Sequence, residues 1–136
     1  MTEDNWPGEW LRGVLGVCVL RILTDGSSYG YAIIQRLAEA GLGAVKGGTL
    51  YPLLGRLEEA GHLEVEWRPG DGGPGRKFYA LTEQGRREAA GQAARWAAFT
   101  ATTRALTDGA LSARDRPATN QVPTESPADP PEKELT

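Results

Sequence analysis

Apolar residues recur at helical spacing near the start of the chain. A first helix is predicted over residues 10–23, where steps of three and four separate the apolar residues Leu11, Leu15, Cys18 and Ile22. Val14, Val17 and Leu20 extend the apolar surface beyond this stripe. A helix that is apolar on more than one side is either central in a fold or shared with a partner chain.

A turn over residues 24–27 separates this helix from a second one. Ser28 is a suitable N-cap for the second helix, because its hydroxyl can accept hydrogen bonds from the free amides of the first turn. The buried side of this helix is supplied by Ile33, Ile34 and Leu37. Gly41 and Gly43 are expected to end it.

A third helix follows the two glycines after Lys46. Pro52 constrains its start, because proline lacks an N–H and is tolerated only in the first helical turn. This argument predicts an N-cap near Thr49. The buried stripe of the helix consists of Leu50, Leu53, Leu54 and Leu57. Gly61 is well placed to stop the helix at its C-terminus.

A β-hairpin is predicted after the third helix. Apolar and polar residues alternate over residues 62–67, with one face formed by Leu63, Val65 and Trp67. The composition of residues 69–75, rich in glycine and proline, predicts a loop. Residues 76–81 contain Phe78 and Tyr79, which favour a strand, and form the return strand.

A long fourth helix is predicted from a cap at Thr82 to about Leu106. One side of this helix forms a seam suited to a partner helix. Its residues follow one another in alternating steps of four and three, and they are Ala89, Ala93, Trp96, Thr100 and Thr103. The helix is expected to end at Asp108-Gly109. The remaining residues contain five prolines among small and acidic residues, and this tail is predicted to be disordered.

The predicted fold is mainly α with a small β-hairpin, in the order of a winged helix-turn-helix followed by one C-terminal helix. We predict a flexible N-terminus over residues 1–9 and a winged helix DNA-binding domain over residues 10–81. A dimerisation helix over residues 82–107 and the disordered acidic tail over residues 108–136 complete the organisation.

The distribution of charge matters more than its total. The net charge is −3, yet residues 1–107 contain twelve basic and twelve acidic residues, so the tail accounts for the whole deficit. Nucleic-acid binding depends on a local basic patch rather than on the total charge. The balanced charge of residues 1–107 also leaves open a winged helix module that binds protein instead of DNA.

Several classes of protein are disfavoured by the composition. The single histidine, His62, and the single cysteine, Cys18, cannot supply a metal site of several soft ligands, and the glycine-rich segment 70–75 lacks the lysine and helix of a phosphate loop. No catalytic residue, cofactor or metal is predicted. No secretory signal or apolar run of ~20 residues is present, so a cytoplasmic protein without a membrane partner is expected.

Polar residues on the third helix and the hairpin are candidates for contact with double-stranded DNA. The first group lies before or on the third helix, away from its leucines, and consists of Lys46, Thr49, Tyr51 and Arg56. The second group flanks the hairpin loop and consists of Arg68, Arg76 and Lys77. The start of the second helix adds Ser28 and Tyr29, which can present donors to a phosphate. Ordinary solvated side chains, a merely flexible hairpin and simple capping by Ser28 are the alternatives.

Several motifs, in the same order along the chain, resemble the PadR family of bacterial transcriptional regulators. They are residues 29–34 (Tyr-Gly-Tyr-Ala-Ile-Ile), 48–54 (Gly-Thr-Leu-Tyr-Pro-Leu-Leu), 56–58 (Arg-Leu-Glu), Gly61, 75–79 (Gly-Arg-Lys-Phe-Tyr) and 81–85 (Leu-Thr-Glu-Gln-Gly). The resemblance implies a homodimeric winged helix protein, usually a repressor, that binds an operator. It implies DNA-facing roles for Tyr29, Thr49, Tyr51 and Arg56, and wing roles for Arg76 and Lys77.

The single C-terminal helix resembles the short class of this family, in which that helix packs against the first helix of the partner subunit. The acidic, proline-rich tail departs from the family pattern. Some members bind aromatic effectors at the dimer interface. Candidate interface or effector residues are Trp10, Val14, Ala93, Trp96 and Phe99. Plain packing at the interface is the alternative to an effector cavity.

Overall fold

The computed structural model describes residues 6–70 and 72–109. The elements, in chain order, are α1 (Gly8–Thr24), β1 (Ser28–Tyr29), α2 (Gly30–Leu37), a π-helical segment (Ala38–Leu42), α3 (Gly47–Glu59), β2 (Leu63–Gly70), β3 (Gly73–Leu81) and α4 (Glu83–Thr107). The chain divides after Ala97 into two compact units, of which the second contains the C-terminal part of α4. Within the described ranges, no helix combines the length and the apolar content that crossing a membrane requires.

Helix α1 supplies the centre of the hydrophobic core. Its buried residues are Leu15, Val19, Leu20 and Leu23. The helix begins at Gly8, two residues before the predicted start, and the Trp6 indole Nε1 donates a hydrogen bond of 2.9 Å to the Gly41 carbonyl. The predicted flexible N-terminus covers residues 1–9 and the predicted disordered tail covers residues 108–136, and of these ranges residues 1–5 and 110–136 lie outside the described residues.

The segment before α2 is a short strand, so the prediction that Ser28 caps this helix is wrong. Ser28 pairs with Tyr79 and Tyr29 with Phe78, which makes a three-stranded antiparallel sheet in the order β1-β3-β2. Tyr29 occupies the N-cap position of α2 without a side-chain cap. The physical reason is the open edge of β3, whose backbone groups are satisfied by the extended residues of β1. Two residues are too few to show a strand periodicity in sequence.

Helix α2 ends at Leu37, and the π-helical segment that continues it ends at Leu42, between the two glycines that were predicted to stop the helix. Ile33 and Leu37 are fully buried, and Ile34 is half-buried against the core. Gly41 and Gly43 have φ values of 102° and 84°, in the region that favours glycine. These conformations end the helical segment before the chain enters α3.

Helix α3 begins earlier than predicted, with Lys46 rather than Thr49 at its N-cap. Its first hydrogen bonds include one of 3.0 Å from the Leu50 amide to the Lys46 carbonyl. Pro52 therefore lies in the second turn, and the expectation that it marks the first turn is wrong. Proline leaves the carbonyl four residues before it without a donor. That residue is Gly48, which is exposed, so solvent can satisfy its carbonyl.

The other end of α3 follows the prediction. Gly61 has a φ of 85°, the His62 amide donates to the Leu57 carbonyl at 2.9 Å, and the Gly61 amide donates to the Glu58 carbonyl at 3.0 Å. This pair of bonds is a Schellman motif, in which a left-handed glycine closes a helix. The leucine stripe is confirmed as well, since Leu50 and Leu54 are fully buried.

The hairpin is longer than its composition indicates. Strands β2 and β3 continue to the paired residues Gly70 and Gly73, so most of the predicted loop at residues 69–75 is strand. A register shift between Arg68 and Gly70 accommodates Pro69, which has no N–H to donate to the ladder. A Cβ atom on Gly70 would overlap the Pro74 carbonyl oxygen. The glycines thus allow the two strands to approach each other closely. The glycine content of the segment by itself predicts only a loop.

The start of α4 is anchored to the end of α3 by Thr82, whose predicted capping role is confirmed. Its Oγ1 accepts a hydrogen bond of 2.9 Å from the Gly85 amide and donates one of 2.7 Å to the Gly61 carbonyl. A Cβ atom on Gly85 would overlap the carbonyl oxygen of His62, so glycine is required at this crossing. The helix ends at Thr107, followed by Gly109 with a φ of 73°.

Replacing Thr82 by alanine should lower the free energy of unfolding by roughly 1–2 kcal/mol, because the change removes a helix cap and leaves the Gly61 carbonyl without this donor. Urea denaturation would measure the effect. Thr102→Ala is the matched control, since the exposed Thr102 hydroxyl only bonds back to the Ala98 carbonyl of its own helix. Equal effects of the two substitutions would contradict the anchoring role.

Candidate nucleic-acid interface

A surface groove lies where the start of α2, the start of α3 and the hairpin meet. We call the part of the hairpin from Trp67 to Lys77 the wing. The groove has a volume of about 370 Å³ and is lined by Tyr29, Gly30, Tyr31, Tyr51, Trp67, Gly75, Arg76 and Lys77. Four of these residues, Tyr29, Tyr51, Arg76 and Lys77, are among the DNA-contact candidates of the sequence. The fold therefore brings candidates from three separate segments to one place.

The position of Tyr51 depends on a glycine in a different helix. A Cβ atom on Gly30 would overlap the Tyr51 hydroxyl, and one on Gly47 would lie 3.4 Å from the tyrosine ring. Gly30 is buried, whereas Tyr51 remains 49% exposed. The tyrosine ring therefore packs on bare backbone while its outer side stays open to solvent.

The outer side of α3 carries the other candidates of this helix. Thr49 and Arg56 are exposed, as is Lys46 at the N-cap, while Leu50 and Leu54 are completely buried. These three polar residues do not line the groove itself. They extend the polar surface along α3, so the helix has one apolar face in the core and one face of hydrogen-bond donors in solvent.

Aromatic rings and guanidinium groups form a stack on the outer face of the sheet. The Arg68 guanidinium lies 4.1 Å from the centroid of Phe78, and the Phe78 and Tyr29 rings are 5.2 Å apart at an interplanar angle of 58°. The Arg76 guanidinium lies 4.4 Å from the centroid of Tyr29. We call these four residues the cation–π stack. It joins the wing to β1 and thereby to the start of α2.

Arg68 is more engaged within the protein than the sequence predicts. Besides stacking on Phe78, its Nη2 donates a hydrogen bond of 3.0 Å to the Ser27 hydroxyl and lies 3.4 Å from the Glu66 carboxylate. Ser28 is half-buried in β1, and it does not line the groove. By contrast, Lys77 is exposed, although its Nζ lies 5.6 Å from the ring centroid of Tyr79.

Sequence reasoning missed four groove residues as candidates, namely Gly30, Tyr31, Trp67 and Gly75. Tyr31 is 61% exposed and Trp67 is 68% exposed. The alternation of the strand assigned Trp67 to the buried face together with Leu63 and Val65. That face extends past the core at the wing, so the same side of the strand that is buried at Leu63 is open at Trp67. Gly30 carries no chemistry of its own, and only its contact with Tyr51 reveals its role.

A second cleft lies between α1, the end of α2 and α4, and it also measures about 370 Å³. Of the predicted interface residues, Ala93 and Trp96 line it, together with Val17, Cys18 and Ile22 of α1. Burial raises the pKa of the Cys18 thiol. Trp10 and Val14 do not line this cleft, and Trp10 is 60% exposed. Phe99, which belongs to the second compact unit, is also exposed.

Comparison with known proteins decides the class of this chain. Residues 19–91 match the family described as the transcriptional regulator PadR-like family. The chain belongs to the PadR-like family. Its members are transcription regulators that bind DNA, and they are not enzymes.

Solved PadR-like structures share both fold and sequence with this chain. A PadR family transcriptional regulator from Eggerthella lenta is 36% identical, with a TM-score of 0.64, over 73% of this chain and 86% of that chain. A PadR-like transcriptional regulator from Bacillus cereus is 30% identical, with a TM-score of 0.66, over 74% of this chain and 97% of that chain. An uncharacterised protein of Lysinibacillus sphaericus is 31% identical over 78 residues, which are 56% of this chain and 72% of that protein.

The PadR-like assignment confirms the predicted fold class, a mainly helical winged helix with a C-terminal helix. The sheet has one strand more than the predicted hairpin, because β1 joins it. The residues that line the groove fall within the matched range of 19–91. The groove therefore belongs to the part of the chain that defines the family.

Substituting Gly30 by alanine should displace Tyr51 and lower the free energy of unfolding by roughly 1–3 kcal/mol, since overpacking forces a neighbour out of its preferred position. Chemical denaturation of Gly30→Ala, Tyr51→Ala and the double variant would measure the coupling. The double variant should be no less stable than Tyr51→Ala alone. Gly48→Ala, at an exposed helical position with open space around it, is the control. If Gly30→Ala lowers the free energy of unfolding by the same amount in the Tyr51→Ala background, contact with the tyrosine ring is not the cause.

Proposed function

We propose that this PadR-like regulator is a homodimeric repressor that binds an operator with α3 in the major groove and the wing beside it. The observation that carries the proposal is the convergence of Tyr51, Arg76 and Lys77 on one groove. These side chains come from α3 and the wing, which sequence alone cannot bring together. Tyrosine hydroxyls and basic groups donate hydrogen bonds to phosphates and base edges.

The two faces of α3 support this docking. A helix that enters the major groove has to hold its apolar side in the core and present donors on the other side. The buried Leu50 and Leu54 and the exposed Thr49 and Arg56 meet this requirement. Among the described residues that line the groove, none is acidic and two are basic, so the local charge favours phosphate although the charge of residues 1–107 is balanced.

The test is binding of the purified full chain to duplex DNA from upstream of its own gene, against a scrambled duplex, over a series of salt concentrations. Specific binding should weaken steeply with salt, because log K falls by about 0.9 per phosphate neutralised for each unit of log salt concentration. Absence of duplex affinity at every salt concentration would contradict DNA binding. It would favour the alternative of a winged helix module that binds protein, which the balanced charge keeps open.

Arg56→Ala should weaken operator binding and reduce the magnitude of the salt slope by about 0.9, if Arg56 neutralises one phosphate. Thermal unfolding should be nearly unchanged, since Arg56 is exposed. Arg87→Ala is the matched control, because Arg87 is an exposed arginine on α4 that lies 3.6 Å from Glu83 and does not line the groove. Unchanged affinity in Arg56→Ala would argue against the proposed orientation of α3.

The proposed dimer uses the helix α4 and the apolar surface of α1. Ala89 is buried within the protomer, while Ala93 and Trp96 are half-buried beside the second cleft. Trp10 is a large apolar side chain that is mostly exposed in the protomer, and Val14 is half-buried on the same helix. Covering such surfaces is a common reason for chains to associate. A DNA-binding regulator of this kind would act in the cytoplasm.

Trp96→Arg should shift the protein toward monomers, because it places a charge in an apolar interface where it has no partner. Sedimentation velocity over a range of concentrations would measure the assembly. Ala94→Arg adds the same charge at an exposed position off the seam and should leave the dimer intact. A stable dimer of Trp96→Arg would place the interface elsewhere.

We also propose that a small aromatic effector relieves repression by binding beside Trp96, and plain packing is the alternative. Support for the effector comes from the second cleft, which is mostly apolar and is lined by Trp96. The chain has four tryptophans, so the part of the indole fluorescence that Trp96→Phe abolishes is the part that reports on the surroundings of Trp96. If no planar aromatic compound changes the Trp96 fluorescence of a protein that binds DNA, the effector role has no support.

A further inference from the structure

We propose that Trp67 is a direct DNA contact of the wing, with its indole ring covering an apolar part of the duplex surface. The apolar parts that a ring can reach are the faces of deoxyribose and the methyl groups of thymine. This inference rests on the proposed function. It adds a residue that a search for hydrogen-bond donors does not find, because its contact with DNA would be apolar.

The first support is the place and exposure of the ring. Trp67 lines the groove beside Tyr31 and Tyr51, and 68% of it is exposed, the largest fraction among the exposed large apolar residues of the described chain. Gly75 is a neighbour of the ring, since a Cβ atom built on it would lie 3.8 Å from the indole Cε3, at van der Waals distance. The ring therefore stands at the mouth of the groove that the candidate DNA contacts share.

The second support is the cross-strand partner of Trp67. Trp67 pairs with Lys77 in the register of β2 and β3, so the two side chains share one face of the wing. An exposed cation next to an exposed apolar ring matches the surface of a duplex, where anionic phosphates alternate with apolar sugars. A protein partner would not require this alternation, and for this reason we favour DNA as the occupant.

The third support comes from the opposite face of the wing. There the guanidinium of Arg68 stacks on Phe78 and donates a hydrogen bond to the Ser27 hydroxyl. Arg68 thus acts as a positioning residue that holds the wing to the rest of the domain. Trp67 and Lys77 lie on the other face, and both line the groove together with Tyr51.

The experiment uses the full chain and duplexes selected by the wild-type protein from a random library. Trp67→Ala should weaken binding to a selected duplex by roughly tenfold, because burial of an aromatic side chain is lost. The salt slope should stay unchanged, because no charge is removed. Trp67→Phe should recover part of the affinity. Leu106→Ala is the matched control, since Leu106 is 66% exposed and does not line the groove.

A second arm separates the two apolar targets. Replacing thymine by deoxyuridine in the selected duplex removes only the C5 methyl groups. If Trp67 contacts a thymine methyl, the substitution should weaken wild-type binding and reduce the further effect of Trp67→Ala. If it contacts deoxyribose, Trp67→Ala should weaken binding to both duplexes equally.

Three results would overturn the proposal. Wild-type affinity in Trp67→Ala would exclude the contact while leaving the proposed function intact. A change of oligomeric state in Trp67→Ala, measured by sedimentation, would assign the ring to a protein interface. Failure of the wild-type protein to select any duplex would reject the proposed function and the role of Trp67 together.

Discussion

The pairing of β1 with β3 is the interaction on which the candidate site depends. It consists of only two residue pairs, Ser28 with Tyr79 and Tyr29 with Phe78. Because α2 begins at the next residue, this pairing fixes the start of α2 against the hairpin. Gly30 is thereby brought against Tyr51 of α3, and Tyr29 enters the cation–π stack. The core already holds the base of the hairpin through the buried Leu63, Tyr79 and Leu81, and the pairing adds a direct link between the hairpin and the start of α2.

The cation–π stack strengthens this small pairing. Each exposed cation–π contact contributes ~0.5–1 kcal/mol, and two of them flank the Tyr29 and Phe78 rings. The arginine side chains also cover apolar surface on the outer face of the sheet. The two arginines therefore differ in what they can offer a ligand. Arg68 is held by the Ser27 hydroxyl as well, whereas Arg76 lies at the edge of the groove.

Glycines, which have no side chain, shape the domain as much as the aromatic and charged residues do. Gly30 gives room to Tyr51, and Gly85 lets the first turn of α4 approach the carbonyl of His62. At the same junction Thr82 bonds to the carbonyl of Gly61, which itself closes α3. The end of α3 and the start of α4 are thus fixed at one point. The orientation of α3 toward a ligand and the position at which α4 leaves the domain are set by neighbouring contacts.

The helices, the family and the chemistry of most candidate residues can be predicted from the amino-acid sequence alone. The leucine stripe of α3, the cap at Thr82 and the stop at Gly61 are local properties, because helical periodicity and capping depend on residues a few positions apart. The recognised motifs likewise led to the PadR-like family, which the match over residues 19–91 confirms. Local signals failed at Pro52, which the helix tolerates in its second turn, and in the wing, where glycines permit close approach of two paired strands.

Which of the candidate residues lie close together depends on contacts between segments that are distant along the chain. Strand β1 exists because β3 offers it an unpaired edge, and no pattern within two residues can reveal that edge. Trp67 obeys the predicted alternation, yet it is exposed because the hairpin extends past the core, and the size of a core is a property of the whole fold. The role of Gly30 likewise depends on Tyr51, 21 positions later in the sequence. Such contacts join segments distant along the chain, so packing in three dimensions, rather than any local preference, determines them.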